Sequence, residues 1–311
     1  MEQRFFASDI SRISNLQGKH CLRLTFTKAM NFDSNREVLD WYERQERSLT
    51  PEFIGSIPWD KVRDTPFDEK FVPVLFYMRD VETLTDMYHR ELARTPTGRD
   101  PDISKFMERW GVEEITHGEV MNRFLNELGY ESDKKWQDQV RSAVTKAYKT
   151  NAFMLTTLTN LIGKKFTATH MTFGAIHEME AAQGYRRLKT LTDHPVLNPI
   201  LDAIIREESA HNQFYWSVAK LELSRNKTAR RIARFVTERF WAPVGQGSLA
   251  KRRTQYLVKT LFSEGEGLDT IDAKVTKRVT QLPGFEGITK ITDTISNMAA
   301  TSNVPFEAAL P

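Results

Sequence analysis

Apolar residues recur at helical spacing in four long stretches of this chain, and each row has an acid in its middle. Over 68–94 the row reads Phe71, Val74, Leu75, Met78, then Glu82, Thr85 and Tyr88. Over 101–128 it reads Ile103, Phe106, Met107, Trp110, Glu114, His117, Met121, Phe124, Leu125 and Leu128. Over 167–190 it is Met171, Gly174, Glu178, Ala181, Ala182, Tyr185 and Leu188, and over 195–223 it is Leu197, Leu201, Ile204, Glu208, His211, Tyr215, Val218 and Leu221. Residues three and four apart share one helix face, so the pattern predicts four helices that each turn a carboxylate toward a common core. Asp100-Pro101 marks the start of the second helix as an N-cap followed by Pro at the first helical position, and Gly129 marks its end.

The remaining chain is less periodic. Residues 1–33 show only Leu22, Leu24 and Phe26 alternating with polar positions, which suggests a short strand or extended arm. A helix over 35–47 is capped by Ser34, and 50–67, with Pro51, Pro58 and Pro66, reads as an irregular wrap. Further helices are expected over 133–149, capped by Ser132, and over 152–161, 228–241, 250–262, 268–280 and 287–299, with a frayed tail from Ala300. The result is an all-α fold: an N-terminal arm over 1–67, a four-helix bundle over 68–224 and a helical extension over 225–311 packed on the same body.

The inward polar residues are Glu82, Glu114, His117, Glu178, Glu208 and His211. Two Glu-x-x-His motifs, Glu114-Ile115-Thr116-His117 and Glu208-Ser209-Ala210-His211, each set a carboxylate and an imidazole on one helix face. Four buried carboxylates without partners are costly, whereas two divalent cations cancel their charge. Oxygen-rich positions with one nitrogen each suit iron or manganese better than zinc, and iron is the choice if dioxygen is to be handled. On the third helix Glu178 is taken as the inward acid, with Glu180 as the alternative, because Glu180 shares a face with His177 and Arg187 that reads as wetter. Glu207 is expected to orient His117, and Glu113 to orient His211, since ligating imidazoles usually donate their second N–H to a carboxylate. The other histidines, His20, His89, His170, His177 and His194, are placed on the surface or behind the ligands.

Composition narrows the classes. The net charge of +3 is too small to argue for nucleic acid, and the single cysteine, Cys21, rules out a disulfide framework, a zinc ribbon and an iron–sulfur cluster. A cytoplasmic setting is expected, because the residues from Met1 to Phe6 lack an apolar signal core. No membrane span is expected either: the apolar run near 152–163 is short and interrupted by Thr and Asn.

The order Glu, Glu-x-x-His, Glu, Glu-x-x-His resembles the soluble acyl-[acyl-carrier-protein] desaturases, the type 2 fatty acid desaturases of the ferritin-like di-iron group, over roughly residues 59–222. Tyr88 six residues after Glu82, the block Glu113-Glu114-x-x-His117-Gly118, the block Glu207-Glu208-x-x-His211 and Ile176-His177-Glu178 carry the likeness. The resemblance implies a ferritin-like four-helix bundle holding two iron ions (Fe2+/Fe3+, with a Mn/Fe pair suiting the same ligands) and a homodimer. It also implies a ferredoxin-type electron donor, O2, and a fatty acyl chain presented on an acidic acyl-carrier protein and given a cis double bond. Trp59, Glu207 and His117 could correspond to the family's electron route, and Arg230, Arg231, Arg234 and Lys251 to Arg253 could meet the carrier. The chain departs from the family at Ala181, where a threonine is usual, and at Ile115-Thr116, where Asn-Arg is usual. The segment between His117 and Glu178 is also longer than the family's. The alternatives are a related di-iron hydroxylase or N-oxygenase, for which His170 or His177 would be the extra ligand, and a non-catalytic ferritin-like iron-binding protein. A radical role would draw on Tyr88, Tyr185 or Tyr215.

Overall fold

The computed structural model describes residues 30–311, so the strand or arm expected around Leu22, Leu24 and Phe26 lies outside them. Among the described residues all regular structure is helical, apart from one isolated bridge between Gln246 and Leu249. Helix α1 (Asn35–Glu43) begins as expected, with Ser34 extended and its Oγ accepting from Glu37 N at 3.3 Å. The wrap that follows is more regular than expected. Thr50 caps α2 (Pro51–Ser56), where Pro51 sits in the first turn and its missing N–H costs nothing, and a 3-10 segment covers Trp59–Asp64.

The stretch expected as one helix over 68–94 is divided. A 3-10 turn at Glu69–Phe71 leads into α3 (Val72–Thr83), and α4 (Thr85–Ala93) starts after a break at Leu84. Around Leu84 the backbone tightens to i→i−3 bonds, Leu84 N to Val81 O and Met87 N to Leu84 O, both 3.0 Å. The β-branched Val81, Thr83 and Thr85 that surround it are weak helix formers. Helix α5 (Pro101–Leu128) has the expected ends. Asp100 Oδ1 accepts from Asp102 N and Ile103 N, and Gly129 closes the helix at φ 104°, in the left-handed region.

Ser132 does not cap the next helix. Its hydroxyl donates to Asn122 Oδ1 at 2.8 Å and accepts from Arg79 at 3.0 Å, so α6 (Trp136–Ala143) starts later. Thr145 caps α7 (Lys146–Ile162), which is longer than the apolar run suggested. No helix among the described residues is long and apolar enough to cross a membrane. Helices α8 (Thr167–Thr192) and α9 (Leu197–Arg225) follow. His194, expected on the surface or behind the ligands, is fully buried at their junction and touches no ligand in its hydrogen bonds. Its Nδ1 accepts from Val196 N and Leu197 N, both 3.2 Å, while Nε2 donates to Val62 O at 3.0 Å, so the ring caps α9 and ties it to the 3-10 segment.

Past Asn226 come α10 (Lys227–Phe240), α11 (Lys251–Phe262), α12 (Gly267–Ile271), a π-turn at Asp272–Thr276, α13 (Lys277–Val279), α14 (Lys290–Thr301) and α15 (Phe306–Ala309). The tail expected to fray is docked: Ala309 is buried, Arg252 donates to Ala308 O at 2.6 Å and Arg253 to Ala309 O at 3.3 Å. Arg253 also pairs with buried Asp80 at 2.7 Å. Arg230 is tied to Leu223 O, and Arg234 to the carbonyls of Gly284 and Glu286. Much of the basic cluster considered as a carrier surface therefore holds the C-terminal helices in place.

The core is continuous from Val38 in α1 to Ala299 in α14. Within it α8 packs along α9, α3 along α5, and α5 on α9, while α1 lies across α5 and α9. Phe106 of α5 stacks on Phe214 of α9 with centroids 3.7 Å apart and rings 4° from parallel. Gly174 of α8 leaves room for the Tyr215 ring; a Cβ there would lie 2.3 Å from it. These contacts bring the polar interruptions of four helices to one level.

Candidate metal centre

Glu82 comes from the end of α3, Glu114 and His117 from α5, Glu178 from α8, and Glu208 and His211 from α9. All six are buried, and they form two overlapping groups. One is Glu82, Glu114, His117 and Glu208; the other is Glu114, Glu178, Glu208 and His211. Within each group one ligand atom per residue lies within 4.8 Å of the others. Glu114 and Glu208 belong to both groups, and each divides its oxygens between the imidazoles. His117 Nδ1 is 3.5 Å from Glu114 Oε2 and 3.2 Å from Glu208 Oε1. His211 Nδ1 is 3.1 Å from Glu114 Oε1 and 3.6 Å from Glu208 Oε2. Glu114 and Glu208 could thus serve both groups, with Glu82 and Glu178 at the two ends, each in one group only.

The far nitrogens are held crosswise. His117 Nε2 donates to Glu207 Oε2 at 2.9 Å, and His211 Nε2 to Glu113 Oε2 at 2.8 Å, the pairing expected from the sequence. With Nε2–H committed outward, each Nδ1 is left as the inward ligand atom. The terminal acids are also fixed. Tyr185 donates its hydroxyl to Glu82 Oε1, and Trp110 Nε1 donates to Glu178 Oε1 at 3.1 Å.

These residues fit cations on an observation independent of the motifs. Glu114 Oε1, both oxygens of Glu208, His117 Nδ1 and His211 Nδ1 are buried without any hydrogen-bond partner, a state that native interiors rarely tolerate. The electrostatics agree. Burial, then the neighbouring Glu114, pushes Glu82 well above the ordinary carboxylate range, and burial with Glu208 and Glu114 does the same to Glu178. Burial opposes charge on His117 and His211, yet the surrounding carboxylates, together with Tyr42 at His211, override it and raise both well above the usual imidazole value. Glu114 and Glu208 are lowered against burial, Glu114 by its closeness to Glu82 and the two imidazoles, Glu208 by its closeness to the imidazoles and Glu178. The two groups could therefore hold metal ions.

Glu180 belongs to neither group, and its environment is not wet as expected. It is buried, accepts from Val244 N at 3.2 Å and is pushed up to about 8 by burial. His170 faces Thr97 Oγ1 at 2.7 Å and His177 faces Ala242 O at 3.3 Å, so neither adds a nitrogen to the two groups. Trp59 donates its indole N–H to Ile54 O at 3.1 Å rather than toward Glu207, whose second oxygen is filled by Ser48 N and Leu49 N. Sequence reasoning missed Tyr42, Trp110, Tyr185 and Arg109 as supports of the ligands. Arg109, one helical turn before Glu113, was the one a local pattern could have flagged.

Comparison of the chain with protein-family models, with curated proteins and with solved structures finds no match.

Proposed function

We propose that this chain is a di-iron, O2-dependent oxidoreductase built on a ferritin-like four-helix bundle, α3, α5, α8 and α9. In this reading it introduces a cis double bond into a fatty acyl chain borne by an acyl-carrier protein, acting as a homodimer with a ferredoxin-type donor. The observation that carries the reading is the pair of overlapping ligand groups sharing Glu114 and Glu208, with unpartnered buried donor atoms aimed between them. Oxygen-rich positions with one imidazole each favour iron or manganese over zinc. A pair of iron ions bound there supplies the redox change that O2 activation needs. Overall, a –CH2–CH2– unit, O2, two electrons and two protons give –CH=CH– and two waters.

The residues of the chain bind, orient and shield. Glu82 and Glu178 close the two ends of the centre, held by Tyr185 and Trp110. Glu207 and Glu113 keep each imidazole in one tautomer and one plane. Buried Met121, Phe106 and Phe214 belong to the same apolar core, and Phe106 lies edge-on to His211. No histidine beyond His117 and His211 enters the groups among the described residues, which favours desaturation over an N-oxygenase arrangement with an added nitrogen.

The test is anaerobic loading with Fe2+, reduction, and exposure to O2 with a long-chain acyl-carrier protein, with products read by mass spectrometry. A product lighter by two hydrogens supports the reading. A product gaining one oxygen moves the assignment to a hydroxylase. Iron oxidation with an unchanged acyl chain leaves the non-catalytic iron-binding reading.

A further inference from the structure

The two cation positions share both bridging carboxylates and each adds one carboxylate and one imidazole, yet what stands behind the imidazoles differs. Behind His211, Glu113 is charge-compensated. Its Oε1 receives Arg109 Nε at 2.8 Å with Arg47 Nε at 3.5 Å, and its Oε2 receives the Tyr42 hydroxyl at 2.6 Å beside the imidazole N–H. Arg109 is itself held by the carbonyls of Tyr42, Glu43 and Gln45 at 3.2, 3.3 and 2.7 Å. Behind His117, Glu207 meets only neutral donors besides the imidazole: Ser48 N at 2.6 Å and Leu49 N at 2.9 Å. Arg206, next to Glu207 in sequence, turns to Ser48 Oγ instead. Among the described residues, the only ion-pair partner within 4.0 Å of Glu207 is His117 itself.

We infer that the two metal positions are electrically unequal, that the position beside His117 takes its ion first, and that Arg109 is the positioning residue that sets the difference. The inference rests on the di-metal reading above. A carboxylate keeping its full charge draws on the Nε2–H and makes Nδ1 the stronger donor; one already neutralised by a guanidinium draws less. One segment, residues 42–49, acts on both sides: toward Glu113 it gives the Tyr42 phenol and the carbonyls that hold Arg109, and toward Glu207 the amides of Ser48 and Leu49. Changes to such outer partners typically alter metal affinity by about 10- to 100-fold, and that is the size of the gap expected between the two positions.

Co2+ tests this without turnover, because it does not change valence and its visible bands report each binding step. Calorimetric and spectroscopic titration of the full chain should show two steps whose affinities differ by about tenfold or more. His117→Ala should abolish the tight step and His211→Ala the weak one. Arg109→Met decides the origin of the gap. If Arg109 acts through charge, its removal tightens the weak step and narrows the gap, whereas simple loss of packing would weaken that step and widen it. Arg109→Lys should preserve the wild-type gap, and Glu207→Gln should weaken the tight step. Two equal Co2+ steps in the wild type, or a weaker second step in a folded Arg109→Met protein, overturn the inference and leave the di-metal reading standing. No Co2+ uptake overturns both.

Discussion

Loading this centre with two divalent ions, at a pH where its raised groups hold their protons, should expel about four protons, two per ion. The number follows from the charge inventory of the metal-free cluster. Burial and the adjacent carboxylates keep a proton on Glu82 and another on Glu178. Burial disfavours charge on His117 and His211, but the carboxylates that surround them win, so each imidazole carries a second proton. Glu114 and Glu208 stay ionised. Two cationic imidazoles then balance two carboxylates, and the cluster is neutral. With two divalent ions all four carboxylates are ionised and both imidazoles are neutral, retaining only the Nε2–H given to Glu207 and Glu113, so the charge is again zero. One proton has left each of Glu82, Glu178, His117 and His211. Affinity per ion should therefore climb by roughly two log units per pH unit below the point where these groups titrate. Anaerobic calorimetry in buffers of different ionisation enthalpy measures the proton count directly. Glu82→Gln and Glu178→Gln should each lower it by about one. Release of fewer than about one proton per ion in the wild type would show that the ions do not displace these protons, and the charge argument for the site would fail.

Three further outcomes follow from single residues. Glu180 is held protonated to about pH 8 by burial, while in the unfolded chain it ionises near 4.5; the folded state binds the extra proton between those values, so stability falls as pH rises through that window and levels off above it. Glu180→Gln should remove this slope, a difference of at most about 5 kcal/mol between pH 4.5 and 8 in urea unfolding; an unchanged slope would show that Glu180 ionises normally. Phe214→Ala removes a fully buried ring stacked on Phe106 and should cost about 3–5 kcal/mol in the same assay, with a loss below about 1 kcal/mol contradicting the packing described. His194→Ala strips the α9 N-terminus of its cap and leaves Val62 O unpaired, a loss of about 1–3 kcal/mol that His194→Asn should partly restore; equal stability of all three proteins would refute the capping role.

What could be read from the chain in advance was what depends on neighbours along one helix. The Glu-x-x-His pairs, the apolar rows around them and the ends of α5 at Asp100 and Gly129 are local patterns, and the folded chain keeps them. Features decided by contacts across the fold were not legible. Ser132 reads as a cap until Arg79 and Asn122, distant in sequence, claim its hydroxyl. The tail beyond Ala300 reads as loose until its carbonyls meet Arg252 and Arg253. Glu178 lies in the cluster, but the reason first given for preferring it does not hold: the turn between α10 and α11 covers Glu180 and gives it Val244 N, so that face is not wet. Tyr42 could not have been tied to Glu113 from sequence, because it lies 71 residues earlier and the helix bearing it has no charge pattern pointing there.

The crosswise support of the imidazoles explains why both motifs carry a doubled acid. An imidazole's two nitrogens point to opposite sides of the ring, so once Nδ1 faces the cluster, Nε2 must be met from beyond it. The in-helix neighbour cannot do this: Glu113 precedes His117 by one turn on α5, yet His117 Nε2 reaches Glu207 on α9 while Glu113 takes His211. Each Glu-Glu-x-x-His run therefore contributes a carboxylate common to both groups and an imidazole to the cluster, and a carboxylate to the other run's imidazole. Rotation of α5 by one residue, about 100°, would remove Glu114 and His117 from the centre and Glu113 from His211 together. The register of α5 on α9 is thus fixed by both imidazoles at once, and the Phe106–Phe214 stack, about two to three turns away along α5 and one to two along α9, is an apolar contact that helps hold that register. Disturbing the stack should loosen metal binding at both positions, and Co2+ titration of the Phe214→Leu protein tests this: weakening confined to one step would refute the shared register.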